Sequence, residues 1–316
     1  MTWCRRLGWI VLAVLTSQVT ALINGWSWLP AGAWLRHVMN RSVERLPERD
    51  LPDGRLLFVA PHPDDEALAA GGLISERTRQ GHPVFIAYVT MGDGFPLDTV
   101  LLTHTLPVRH ADNQALGLAR QQEALRASQL LGVPRAQVTF LGFPDRGLNA
   151  LMSTHFDQPF TSRYTGVQQN PYPDTWRPGA EYSGAELLEQ LQAVVAWASP
   201  DVILWPDGHD RHPDHRAVHT LMTKVSPALT GVRHWTYLVH GSLEWPLPKG
   251  HHPAWPLVPP LLTHLQPGWS YLRLTPMATA KKLAAIMAYP SQMRVLSHFM
   301  RAFAKANELY RQITRL

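Results

Sequence analysis

A chain of 316 residues with 45% apolar side chains can fill a real core, which excludes a disordered protein. The net charge is +5, and its arginines (Arg36, Arg41, Arg45, Arg49, Arg120, Arg126) are scattered instead of massed among aromatics, so no nucleic-acid partner is expected. The single cysteine, Cys4, excludes an internal disulfide framework and a thiolate metal cage.

In chain order, the first feature is "LGWIVLAVLTSQVTALINGW" after Arg5 and Arg6, about one membrane span long. Thr16, Ser17, Gln18 and Thr20 dilute it, and Trp26 and Trp28 stand where an interfacial belt would. It reads as an uncleaved anchor over residues 1–28, or as a secretory signal cleaved near "VTA". The expected location is therefore membrane-associated through one N-terminal segment, or secreted or periplasmic after cleavage. Arg5 and Arg6 on one side are matched by Arg36 and Arg41 on the other, so the side stays open.

Residues 29–54 read as a linker. From Arg55 onward, strand-like and helix-like segments alternate. "RLLFVAP" is a buried strand, Ala67 to Gln80 has helical spacing, and "HPVFIAYVT" is a second strand. A helix follows around Leu118 to Leu131, then the strand "QVTFLGF", a helix from Gly184 to Ala198 and the strand "DVILWPD". Ser291 to Leu316 reads as one amphipathic helix. This order predicts an α/β fold with a doubly wound, mainly parallel sheet: a single domain over 55–316 with inserted loops at 149–182 and 242–268.

Ligands in such folds bind at the carboxyl ends of the strands. Two strand ends carry unusual chemistry. "PHPDDE" places His62, Asp64, Asp65 and Glu66 after the first strand, and "GHDRHPDHRAVH" places His209, Asp210, His212, Asp214, His215 and His219 after "DVILWPD". A carboxylate at a helix start can be a cap, but a cap explains one carboxylate and no imidazole. Nitrogen and oxygen donors without sulfur suit zinc, with iron(II) also open, and a catalytic zinc takes three protein ligands. A metal-activated water would also need a free carboxylate beside it.

These motifs resemble the LmbE/PIG-L family of zinc-dependent N-deacetylases. "RQQEALRASQLLGV", "FLGFPDRGL" and "KKLAAIMAYPSQ" extend the resemblance over most of Arg55 to Gln292, with Pro61 as a departure where the family commonly has Ala. The resemblance implies a Rossmann-like fold and removal of the acetyl group from an N-acetylglucosamine-type sugar in a glycoconjugate. It implies His62, Asp65 and His215 as metal ligands, Asp64 as general base and His212 as the group steadying the oxyanion. Asp214 would orient a histidine or cap a helix, and the same pair of roles stands for Glu66. Arg120 would touch substrate or pair with Glu123. Asp145 would meet a sugar hydroxyl or serve a turn, and Asp93 is a weaker version of the same idea. A phosphoester hydrolase and a catalytically silent sugar-binding membrane protein are the alternatives.

The loop from Asn149 to Tyr182 offers Tyr164, Tyr172, Trp176 and Tyr182 either to sugar rings or to packing. The Pro- and Trp-rich stretch from Glu244 to Leu262 could lie near lipid if the protein is anchored.

Overall fold

The computed structural model describes residues 2–50, 52–241, 245–260 and 268–313, with residues 2–7 described as backbone only. Helices α1 (Thr2–Asn24) and α2 (Pro30–Val43) precede the sheet. Then come β1 (Leu56–Ala60), α3 (Asp65–Arg79), β2 (Val84–Thr90), α4 (Pro96–Thr103), α5 (His110–Leu130), β3 (Val138–Phe143) and α6 (Leu148–Leu151). After these follow α7 (Gly184–Ala198), β4 (Val202–Pro206), α8 (Pro213–Val225), β5 (Arg233–Tyr237), β6 (Trp269–Arg273), α9 (Pro276–Met287), α10 (Pro290–Arg301) and β7 (Asn307–Ile313).

The seven strands form one mixed sheet in the order β3-β2-β1-β4-β5-β7-β6, consistent with a Rossmann-like fold. Strands β1 to β5 are parallel, with Leu56 opposite both Val84 and Val202. Helices cover both faces of that part, so every residue of β1, β2, β3 and β4 is buried, which is why each reads as an unbroken apolar run. Phe58, Tyr88 and Phe140 face one core, and Val59, Leu141 and Trp205 the other.

Two expectations fail here. The C-terminal segment is not one helix: after α10 the chain turns into β7, which pairs antiparallel with both β5 and β6. Its buried Glu308 accepts hydrogen bonds from the Gly72 and Leu73 amides (2.8 and 2.9 Å), Lys282 Nζ (2.6 Å) and the Tyr310 hydroxyl (2.7 Å). A charged residue can therefore occupy an inner strand because four donors meet it.

The membrane anchor, and the location drawn from it, is likewise overturned. No described helix is long and apolar enough to cross a membrane. Thr16, Ser17 and Thr20 break the apolar run and bond back to the carbonyls of Leu12, Val14 and Thr16. Gln18 Oε1 accepts the Ala31 amide at 3.0 Å, which ties α1 to the start of α2. The side chains of Arg5 and Arg6, on which the orientation reading rests, lie outside the described residues. Trp245, Trp255 and Leu257 of the stretch expected near lipid are buried in the protein, with Trp245 edge-on to Phe303. Residues 242–244 and 261–267 of that insertion lie outside the described residues.

Candidate active site

Strand β1 ends at Ala60, and the next carbonyl, that of Pro61, accepts both the amide and the hydroxyl of Thr90 at the end of β2 (3.0 and 2.9 Å). This pins the two strand ends together and delivers His62 to Glu66 onto the rim. Asp64 sits at φ +132°, ψ −23°, a conformation that side chains other than glycine rarely hold, and it immediately precedes α3. Strain of this sort costs on the order of 1–3 kcal/mol and is typical of functional positions. It is held by Glu66 Oε2, which accepts the Asp64 amide at 3.3 Å, while Glu66 Oε1 takes the Tyr289 hydroxyl at 2.5 Å.

The second rim segment follows β4. His212 is the N-cap of α8 and accepts the Asp214 amide at its Nδ1 (3.3 Å), which leaves His215 in the first turn, fully buried and directed at His62. His62 Nδ1 and His215 Nε2 are 3.3 Å apart, Asp65 Oδ2 is 3.3 Å from the latter and 3.7 Å from the former. Metal–ligand distances of about 2.0–2.2 Å in a tetrahedron give edges of about 3.3–3.6 Å, so two of the three separations match the face of a divalent-ion site and the third, 3.7 Å, is slightly longer. His212 is also near enough to form such a group with His62 and His215.

The far nitrogens of both histidines face carboxylates. His62 Nε2 lies 3.3 Å from Asp145 Oδ1 and 3.3 Å from Asp214 Oδ2. Asp210 Oδ2 lies 3.1 Å from His215 Nδ1, off the line of a good hydrogen bond. These carboxylates raise the proton affinity of both rings and favour a proton on each outer nitrogen, so that with a cation in place the two inner nitrogens and the Asp65 carboxylate would converge on it.

The two adjacent aspartates are driven apart. Burial pushes the Asp64 carboxyl up to about 7, with the Arg120 guanidinium opposing and the Asp65 charge reinforcing the rise. For Asp65 burial acts the same way, but His215 and His62 overcome it and hold its carboxyl well below the usual range. Burial and the neighbouring imidazoles of His62 and His215 keep His212 neutral far into the acid range.

Arg120 lies beside Asp64 at 3.1 Å and also donates to the carbonyls of Gly92 (2.9 Å) and Pro63 (2.5 Å). Glu123, its expected alternative partner, instead accepts Ser291. Gly92 is at φ +64°, and a Cβ there would stand 2.3 Å from the Arg120 guanidinium, so only glycine admits this side chain. His62, Asp64, Arg120, Asp145 and His212 line one cavity of ≈ 150 Å³.

Other expected residues go elsewhere. Asp145 is spent on His62 and on the Gly94 amide (2.8 Å). Asp93 is fully buried behind it and holds the Tyr172 hydroxyl at 2.6 Å. Asp214 does not cap α8; it binds His62 and the amides of Arg146 and Leu148. His219 turns to the Pro206 carbonyl and His209 to Asp207. Tyr172 and Tyr182 are buried and Trp176 packs on Trp197, so the long loop uses these aromatics for packing.

The sequence reading missed His240. It follows β5, lines the cavity, and sets its Nδ1 3.2 Å from Asp210 Oδ1. The strand-end rule could have found it, since β5 is the parallel neighbour of β4.

The PIG-L family profile, described as GlcNAc-PI de-N-acetylase, matches residues 57–226, more than half of the chain. The chain belongs to the PIG-L family. A relative in Streptomyces avermitilis, a 1D-myo-inositol 2-acetamido-2-deoxy-alpha-D-glucopyranoside deacetylase, is 32% identical over 182 residues, 56% of this chain and 54% of that protein. One in Saccharomonospora viridis with the same description is 31% identical over 58% of this chain and 62% of its own length. The chain thus spans little more than half of these PIG-L relatives. The N,N'-diacetylchitobiose deacetylase from Pyrococcus horikoshii shares the fold, with a TM-score of 0.51 and 17% identity over 87% of this chain and 86% of that one.

Proposed function

We propose that this PIG-L protein is a divalent-metal-dependent hydrolase that removes the acetyl group from an N-acetylglucosamine-type sugar in a glycoconjugate. In this reading residues 55–316 are the catalytic unit, His62, Asp65 and His215 hold the ion, and zinc is the expected metal, with iron(II) suited to the same donors. The observation that carries it is the trio of donor atoms close to tetrahedral edge distances with a second carboxyl, Asp64, left over beside them. Relatives acting on acetylated glucosamine supply the substrate class.

When bound, the ion supplies Lewis acidity, bringing the pKa of water towards ~7 and polarising the amide carbonyl. Asp64 takes the proton of the attacking water and later delivers it to the departing amine nitrogen as the C–N bond breaks. Burial raises this carboxyl in the metal-free chain, and a bound cation would pull it back towards the anionic form that a base needs. His212 accepts the Asp214 amide at Nδ1, so its neutral ring carries the proton on Nε2 and can donate it to the oxyanion, an interaction worth ~100-fold or more in rate. Arg120 positions Asp64, Asp145 and Asp214 orient His62, and Glu66 holds the strained backbone of Asp64. The test is metal content measured together with acetate release from N-acetylglucosamine conjugates. A metal-loaded protein that releases no acetate from any of them would overturn the reading.

A further inference from the structure

The cavity has two unlike sides. The polar side described above, with the metal-site and base residues, comes wholly from within residues 57–226, the part that matches the family. The opposite side comes from beyond it: Val239 and His240 after β5, and Gln292, Leu296, Phe299 and Met300 on α10. The α10 residues are spaced i, i+4, i+7 and i+8, and although the helix is kinked at Leu296 (φ −107°, ψ 16°), all four line the cavity. Phe95, at the N-cap of α4, adds to the apolar surface.

This wall is firmly built. The α10 N-terminus is tied down by Ser291, whose amide and hydroxyl donate to Glu123 at 3.0 and 2.6 Å, and by Gln292, which donates to the buried Asp98. The Phe299 ring packs edge-on against Phe303 (5.2 Å) and lies nearly parallel to the His240 imidazole (centroids 6.2 Å, 18°). Leu296 and Phe299 remain half-buried, so apolar surface is open to the cavity beside the reacting groups.

An inositol, covered in hydroxyls, would find few partners along Leu296 and Phe299, which Met300 backs from a fully buried position, and unpaired polar groups are what such a surface rejects most strongly. We propose that the substrate is an N-acetylglucosamine glycoside whose aglycone is apolar, an aryl or short alkyl group that lies against this α10 wall. The proposal rests on the deacetylase reading and names its substrate class. The wall sits outside the family-matched segment, so a preference different from that of the relatives described as deacetylases of an inositol glycoside is open to it.

The test uses the full chain loaded with zinc. Acetate release is compared for methyl, phenyl and inositol glycosides of N-acetylglucosamine, and total acid release for methyl N-hexanoylglucosaminide. The phenyl glycoside is expected to exceed the methyl by on the order of 10- to 100-fold in kcat/KM, mainly through KM, with the inositol glycoside below both. Phe299→Ser should collapse the phenyl-to-methyl ratio towards one, and Phe299→Leu, which keeps apolar bulk, should retain most of it. Equal rates, a preference for inositol, or a preference for the longer acyl group would overturn the proposal. Calorimetric binding of the phenyl and methyl glycosides decides the wall even without turnover. Tighter phenyl binding with no acetate released would sink the deacetylase reading and leave the wall standing, whereas equal binding would sink the wall.

Discussion

Asp64→Asn separates chemistry from structure at one atom. Asparagine is nearly the same size and shape as aspartate, so the strain at φ +132° is little changed and the backbone can persist. The variant keeps an oxygen for Arg120, 3.1 Å away in the parent, and loses the basic charge. Losing a general base costs about 10²- to 10⁴-fold, or about 3–5 kcal/mol of barrier. Stability should move the other way. Without metal, the Asp64 carboxyl is pushed up to about 7 from an ordinary 3.8, chiefly by burial. An acid of this kind binds more protons folded than unfolded, so stability falls as pH rises from about 4 to 7 and the loss is complete above that. The interval corresponds to at most about 4 kcal/mol, since Arg120 also gives up its anionic partner in the variant. With about 2.1 cal/mol/K of unfolding entropy per residue, that is a Tm gain of up to about 6 °C for the metal-free variant at pH 8, vanishing near pH 4. Acetate release, elemental analysis and calorimetry at the two pH values measure these three quantities. A metal-bound variant that keeps more than about a tenth of the parental kcat would refute the assignment of the base.

His215→Ala should leave a folded protein that retains less than about 0.1 equivalent of zinc after gel filtration, because one of three ligands and the centre of the Asp65–His62 geometry are gone; stoichiometric zinc would contradict the ligand set. Gly92→Ala should lower kcat at least about tenfold while costing only about 1–2 kcal/mol of stability, since the new methyl must displace Arg120 at a left-handed position. Unchanged kinetics would remove Arg120 from the machinery. Lys305 is buried, its Nζ donates to the Pro248 carbonyl at 3.3 Å, and burial pushes it down to about 7. The unfolded chain then binds the extra proton between about pH 7 and 10, so stability should rise with pH across that window, and Lys305→Met should flatten the rise in denaturant titrations.

The parallel half of the sheet was legible because burial on both faces leaves each strand an unbroken apolar run, and "PHPDDE" and "HPDH" at two strand ends announced the site. Strand β7 was hidden for the opposite reason. Asn307 and Glu308 are buried and polar, satisfied by the Leu257 backbone and by the Lys282 cluster, and no local pattern encodes partners that arrive from α3 and α9. The amino terminus misled because apolar content was visible, whereas the grip of Gln18 on Ala31 was not. His240 was missed as a lone imidazole whose meaning depends on Asp210, 30 residues earlier.

Asp210 has a consequence for anyone redesigning this protein. It receives the amides of His212, Val239 and His240 and stands against both His215 and the His240 ring. The turns after two neighbouring strands are thus soldered through a single side chain. Swapping in another homologue's β5 turn or last helix to alter substrate choice would tug on the His215 imidazole, so grafts that respect this joint should be more productive than those cut through it.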